Sequence, residues 1–319
     1  MTQQAGATAV AHTNIALIKY WGKADPVLNL PTTSSLSLTL KEYYTKTQVE
    51  EADVDSLLIN ELPQDAKRVH EFLNILREEV QDFPPLRIIS TNKVPISAGL
   101  ASSASSFAAL TAAVAKFNNW QLSLEDLSRL ARRGSGSATR SFFPDFAIWE
   151  KGHDDASSYA THFDTPDMPI ALVVCKISGL VKKVSSTEGM RRAQTSPNYA
   201  AWVEESARQL VNMEDALKKA DIKRVGEIAE ANALGMHNLN LTAKDQRFTY
   251  FNAQTMQILD EVKALRQAGY TAYATMDAGP NVKIITTLNE ANAIKESLAK
   301  RFLKIQFDIA TPGPGISYE

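Results

Sequence analysis

The stretch VPISAGLASSASS, residues 94–106, decides how this chain is read. An extended run is broken by Pro95 and Gly99, and the serines that follow open ASSASSFAALTAAVAKF, whose Ala and Leu content specifies a buried helix over 102–117. The first N–H groups of such a helix have no helical partner and lie at its positive end. Strand, turn and serine-rich helix start therefore make an anion site without a lysine. Ser102, Ser103 and Ser105 add hydroxyls able to donate to phosphate oxygens or to ligate Mg²⁺. The segment lacks the Gly-Lys-Ser/Thr ending of a Walker A loop. An ordinary serine-capped helix shows the same local pattern, so the rest of the chain must decide.

A second glycine- and serine-rich turn, RRGSGSATRSFF, follows at 132–143. It closes a helix that starts after Ser123, with Asp126 completing a capping box and Gly134 suited to a left-handed C-terminal position. Ser135 and Ser137 can donate to phosphate, and Arg140 offers a planar fork for a carboxylate or phosphate. Two anion cradles in one acidic chain favour a phosphorylated substrate beside a nucleotide. Near the N-terminus, NIALIKYWGKAD places Asn14, Lys19, Tyr20, Trp21 and Lys23 around an apolar strand, by default a buried strand with an exposed Lys23. KKVSSTEGMRR, 182–192, reads by itself as a solvated charge run, and MDAGPNVKI, 276–284, holds Asp277 where an apolar strand meets a tight turn.

Composition removes several classes. Lys and Arg number 34 against 36 Asp and Glu among 319 residues, so no global field recruits nucleic acid or an anionic membrane. No apolar run reaches transmembrane length and the N-terminus lacks signal-peptide features, which gives a cytoplasmic expectation. The lone cysteine, Cys175, sits in IALVVCKI as a small buried hydrophobe. No two of the five histidines stand at the four-residue spacing of a helical zinc pair.

The organisation is α+β. Strands are expected at 36–40, 45–50, 57–60 and 86–90, with a helix between the last two built on Val69, Phe72, Leu73, Leu76 and Val80 and capped by Asp65. Beyond a strand at 170–177 comes a helix announced by Ser196 and Pro197, then helices at 222–233, 256–267 and 291–302 alternating with strands at 270–276, 282–288 and 305–309. Two domains, 1–184 and 185–319, are expected to share a large interface with the site between them.

In order along the chain, NIALIKYWGK, LPTTSSLSLTL, PISAGLASSAS, GSGSATRS, VSSTEGM and MDAGPNVK resemble the motifs of the GHMP superfamily of small-molecule kinases and, within it, of the diphosphomevalonate decarboxylases. The resemblance implies a two-domain GHMP kinase-like fold: an N-terminal domain like domain 2 of ribosomal protein S5, with a left-handed βαβ unit, and a ferredoxin-like α+β C-terminal domain. It puts the ATP phosphates on Ser97, Ala98, Gly99, Leu100, Ala101, Ser102 and Ser103, with Ser102 or Ser103 near Mg²⁺ and the adenosine near Ser90 and Asn92. It brings the substrate diphosphate to Asn14, Tyr20, Lys23, Ser135, Ser137, Arg140 and Ser186. Catalysis falls to Asp277, Arg140, Ser103 and Lys182, with Lys183 the alternative to Lys182. Thr187 stands where some bacterial relatives carry arginine. A homodimer is also implied.

These groups suit the implied reaction, ATP-dependent conversion of 5-diphosphomevalonate to isopentenyl diphosphate. A 3-hydroxy acid releases CO₂ only if electrons flow into a bond broken at C3, and hydroxide is a poor leaving group. Phosphorylation of that hydroxyl makes it a good one. Asp277 is then expected to orient or deprotonate the C3 hydroxyl while helix N-termini, Mg²⁺ and Lys182 stabilise the transferring phosphoryl. Competing readings are a phosphomevalonate decarboxylase, a mevalonate 3-kinase and a non-catalytic nucleotide sensor. Retention of Asp277 with Lys23, Ser137 and Arg140 favours the diphosphate decarboxylase.

Overall fold

The computed structural model describes residues 6–94, 102–177 and 183–319. The N-terminal part contains β1 (Ala7–Ile18), β2 (Lys23–Asp25), β3 (Leu30–Pro31), β4 (Ser35–Glu51), β5 (Ser56–Ile59), β6 (Leu62–Gln64), α1 (Lys67–Glu79), β7 (Leu86–Asn92), α2 (Ser102–Phe117), α3 (Leu124–Gly134), a 3-10 helix (Gly136–Phe142), β8 (Phe146–Trp149) and β9 (Ala160–His162). The C-terminal part contains β10 (Ile170–Lys176), α4 (Ser186–Ala193), α5 (Tyr199–Lys218), α6 (Ile222–Thr242), α7 (Ala253–Gln267), β11 (Tyr273–Met276), β12 (Val282–Thr287), α8 (Leu288–Arg301), β13 (Gln306–Ala310) and β14 (Ser317–Tyr318).

One sheet runs β14-β1-β4-β7-β5-β6, with β8 paired to β4 and β9 to β8; a second runs β11-β12-β10-β13. Of the pairings in these two sheets only β5 with β7 is parallel, and α1 lies on the connection between them. β10 thus belongs to the second sheet although it precedes residue 185, while β14 returns to the first. The layers are held by separate apolar cores. α1, α2 and α3 cover one face of the first sheet through Phe72, Phe107 and Leu130. Between the sheets, Ile15, Leu38 and Leu172 pack with α5 and α6 through Leu210, Leu217 and Val225. α7 and α8 cover the far face of the second sheet through Ile258 and Ile294. The α+β two-domain arrangement follows, joined through the middle core.

Local differences from the sequence expectations have physical causes. The strands expected at 36–40 and 45–50 form one strand, because Lys41 N bonds Thr311 O at 2.9 Å and Glu42 accepts from Thr311, anchoring the polar interruption. The Ser123–Asp126 capping box forms. Gly134, however, is the last helical residue and not a left-handed cap, since the extended Ser135 follows it. Its lack of a side chain serves packing: a Cβ there would lie 2.1 Å from Phe107 Cδ1. The helix expected from Ser196 begins at Tyr199 with Asn198 as its cap, because Ser196 N still bonds Ala193 O at the end of α4.

Candidate active site

The site begins with a register irregularity in β1. Ala7, Ala9 and Ala11 face the core beneath α2, but a shift between His12 and Asn14 exchanges the faces, and Ile15 and Leu17 point into the middle core. Asn14 is thereby turned toward the 3-10 helix, where its Nδ2 donates to Ser137 O and Ser141 Oγ, both at 2.9 Å. Its Oδ1 accepts from Arg140 Nε and Nη2, each at 3.3 Å, and Arg140 Nη1 donates to Ser35 Oγ. Arg140 is 2% exposed. Burial lowers its pKa to about 10, against the pull of Asp277 and Tyr20, so it remains a guanidinium at neutral pH. A polar scaffold around a buried cation keeps the fork oriented.

Ser135 and Ser137 stand beside it, their hydroxyls 3.2 Å apart, and Ser135 Oγ donates to Ser103 Oγ at 3.3 Å. The two serine-rich turns read separately in the sequence thus meet. Tyr20 packs edge-on to Trp149 and lies over Gly136, where a Cβ would come within 2.6 Å of the Tyr20 ring. The Tyr20 hydroxyl is buried without a hydrogen-bond partner, an orphan donor of the kind an incoming anion satisfies. Gly22, at φ +143°, leaves no room for a side chain: a Cβ would fall 1.7 Å from Tyr199 Oη. That turn presents Lys23, which is half-buried rather than exposed, and desolvation first and Arg68 second lower its pKa. Arg68, on α1, donates to Gly134 O at 2.9 Å and so stands at the same corner, a cation that the sequence reading did not single out.

Asp277 arrives from the other sheet, one residue past β11. Its Oδ1 accepts from Lys19 Nζ at 2.8 Å and its Oδ2 from Lys283 Nζ at 3.0 Å. The lysine side chains are 2% and 1% exposed, while the Asp277 side chain is 21% exposed. Burial by itself raises the carboxyl pKa, but Lys19 and Lys283 outweigh it and hold the group well below the usual carboxylate range. Lys19 Nζ also donates to Ala16 O at 2.7 Å. Among the described residues, Lys19, Lys283 and Arg140 set three buried basic side chains against the Asp277 carboxylate, an excess of positive charge that favours an incoming anion. The buried imidazole of His237 on α6 adds none, because desolvation first and Lys19 next bring its pKa down to about 3.

From Ser186 on, the charge run is not a solvated loop but helix α4, capped by Ser185 and packed through Gly189 on Trp21 and Tyr250. Arg191 and Arg192 both pair with Glu188, so neither is an unengaged cation. Ser186, half-buried, opens the helix, and Thr187 beside it is exposed. Ser105 is spent structurally on Thr45 at 2.8 Å, leaving Ser102 and Ser103, both half-buried, at the α2 N-terminus. Ser90 Oγ bonds Thr47 Oγ1 at 2.9 Å, and Asn92 Oδ1 accepts from Val94 N at 2.8 Å. Ser97, Ala98, Gly99, Leu100, Ala101 and Lys182 lie outside the described residues. Lys183 is exposed, and Cys175 is buried with its thiol pKa raised by desolvation. Among the described residues no three His, Cys, Asp or Glu side chains gather as metal ligands, and no helix is long and apolar enough to cross a membrane.

Comparison with known proteins decides the family. A model for the diphosphomevalonate decarboxylase-like N-terminal domain matches residues 11–160, and one for the mevalonate 5-diphosphate decarboxylase C-terminal domain matches 172–311. The chain belongs to the diphosphomevalonate decarboxylase family. It is 33% identical to the diphosphomevalonate decarboxylase of Candida albicans over 98% of this chain and 94% of that one. Structures of the mevalonate diphosphate decarboxylases from Enterococcus faecalis and Staphylococcus aureus superpose with TM-scores of 0.93 and 0.95, at 42% and 39% identity, each over 98% of both chains. A structure of MDDEF in complex with MVAPP, AMPPCP and magnesium aligns at a TM-score of 0.94 and 43% identity, again over 98% of both chains. The protein is an ATP-dependent diphosphomevalonate decarboxylase of the mevalonate pathway. The Asp277 cluster and the Arg140 scaffold lie close enough for the Asp277 carboxylate to act on the Arg140 guanidinium.

Proposed function

We propose that Asp277 is the group that acts on the C3 hydroxyl of 5-diphosphomevalonate, with Arg140 aligning the substrate's carboxylate. The observation that carries this reading is the buried excess of cations around a single carboxylate, Lys19, Lys283 and Arg140 about Asp277. A carboxylate held far below its usual pKa is a weak base at rest, so Asp277 first aligns the hydroxyl as a hydrogen-bond acceptor. When the anionic substrate and ATP enter, their charge offsets the lysines and the basicity of Asp277 rises. The C3 oxygen then bonds the γ-phosphorus as the bond to ADP breaks and the hydroxyl proton passes to Asp277. Afterwards the C3–O bond breaks with release of phosphate, and the C1–C2 bond breaks to give CO₂ and the alkene.

The substrate diphosphate is assigned to Tyr20, Lys23, Ser135, Ser137 and Ser186, with Asn14 fixing the Arg140 fork. The orphan Tyr20 hydroxyl and the paired serine hydroxyls support that assignment. ATP is assigned to the segment 97–103, with adenosine toward Ser90 and Asn92 and Lys182 at the transferred phosphoryl. Mg²⁺ fits this donor set: beside nucleotide phosphates it is held in other phosphoryl-transfer enzymes by a Ser or Thr hydroxyl, and Ser102 and Ser103 are half-buried at the α2 N-terminus. When bound, it neutralises charge on the phosphate oxygens. The family resemblance further supports a homodimer.

Asp277→Asn tests the reading. It should lower kcat by about 10²- to 10⁴-fold, the usual contribution of a positioned base, while nucleotide binding by fluorescence titration stays within about threefold. Turnover at the wild-type rate would remove Asp277 from the chemistry.

A further inference from the structure

Lys283 is out of place for its strand. β12 is VKIITT, buried at its first five positions; Val282 and Ile284 pack in the core under α7 and α8, while Ile285, on the same face as Lys283, packs in the core between the sheets. An aliphatic residue would fill the Lys283 position without the desolvation penalty of burying an ammonium. Lys283 lies directly opposite Thr275 in the β11–β12 ladder, and two-residue alternation puts Thr275 and Asp277 on one side of the chain. Its Nζ meets Asp277 Oδ2 at 3.0 Å, while Lys19, from the end of β1, takes Oδ1.

We propose that Lys283 is a positioning residue for phosphoryl transfer, fixing Asp277 Oδ2 so that the carboxylate plane cannot turn and one edge stays aimed at the C3 hydroxyl. The inference rests on the assignment of Asp277 to that hydroxyl. With Lys19 alone, one oxygen is anchored and the carboxylate pivots about its Cβ–Cγ bond; with both lysines, rotation breaks a charged hydrogen bond on either side. Each oxygen keeps a further lone pair for the cleft. Among the described residues, charged and titratable groups acting on Asp277 include Lys19 at the end of β1, Lys283 on β12, Arg140 on the 3-10 helix and His237 on α6.

Lys283→Met keeps the length and apolar stem of the side chain and removes the ammonium. Misalignment of about 1 Å at a reacting group costs about 10²-fold in rate, so kcat should fall by about that factor while KM for both substrates stays within about threefold. The kcat–pH profile should gain an acid limb, since Asp277 loses one of the charges that hold it ionised. The discriminating measurement is a double-mutant cycle with Asp277→Asn. If Lys283 acts through Asp277, adding Lys283→Met to Asp277→Asn changes kcat by less than about twofold. An equal loss in both backgrounds, or a loss confined to KM, overturns the proposal. If Asp277→Asn is crippled and Lys283→Met is not, the Lys283 role fails alone; if Asp277→Asn turns over normally, the underlying assignment fails with it. Should Lys283→Met not fold, the ¹⁵Nζ resonance of Lys283 in otherwise intact protein serves instead. It should shift on Asp277→Asn, and an unmoved resonance overturns the proposal.

Discussion

Gly136→Ala puts the proposed substrate cradle under a measurable load. The added Cβ would stand 2.6, 2.8 and 2.9 Å from Tyr20 Cε1, Cζ and Oη. Ordinary carbon contacts need about 3.5 Å or more, so the ring or the 3-10 helix must move by about 1 Å. Tyr20 has little room to retreat, because its ring already abuts Trp149, which is fully buried and tied through Nε1 to Ser158 Oγ at 3.1 Å. Overpacking of this kind costs about 1–3 kcal/mol, or a fall in Tm of roughly 1.5–4.5 °C for a chain of this size. If Tyr20, Ser135 and Ser137 hold the diphosphate, the same displacement lowers kcat/KM for the diphosphate substrate by about 10²-fold. Gly269→Ala is the control. Nothing lies within 4 Å of its Cβ position and its φ is +98°, so that change adds backbone strain alone and should lower Tm by a few degrees with kinetics intact. Equal losses of Tm in the two variants with kcat/KM unchanged in both would refute the placement of the cradle.

Two further outcomes follow from the geometry. Arg140→Lys replaces a fork bonded to Asn14 and Ser35 by a single ammonium; losing charged hydrogen bonds of about 1.5–3 kcal/mol should cost roughly 10- to 10²-fold in kcat/KM by steady-state assay. His237 has a folded pKa of about 3 against an ordinary value of 6.5, so the unfolded chain takes up that proton first. The stability it contributes is complete above pH 6.5 and is lost as pH falls toward 3, at up to about 1.4 kcal/mol per pH unit. Urea unfolding at about pH 7 and about pH 5 should therefore differ by about 2 kcal/mol more in the wild type than in His237→Leu.

The sequence made the elements legible where periodicity and caps agreed: the α2 helix, the Ser123–Asp126 capping box and the strand carrying Cys175 all appear where their residues predict. The residues of the proposed site that lie on quoted motifs, Asn14, Tyr20, Ser135, Ser137, Arg140 and Asp277, stand out by type, though the contacts among Asn14, Arg140 and the serines depend on long-range pairing that local spacing does not encode. Three features were hidden. The exchange of faces in β1 depends on an irregularity in its register against β4, a long-range pairing that leaves no mark in composition. α4 reads as a solvated run because its charges, Glu188 with Arg191 and Arg192, are satisfied within one turn while Gly189 makes the packing contact. Lys19 and Lys283 escaped as partners of Asp277 because each reads as a single charge at or inside an apolar strand. A lysine in the middle of VKIITT was nevertheless a signal, since a buried ammonium requires an anion.

The most direct test of the functional reading is release of CO₂ and ADP by the purified protein with Mg²⁺-ATP and, in parallel, mevalonate, its 5-phosphate and its 5-diphosphate. The account predicts equal amounts of CO₂ and ADP from the 5-diphosphate and neither from the other two. CO₂ from the 5-phosphate, or ADP without CO₂ from any of the three, would contradict it.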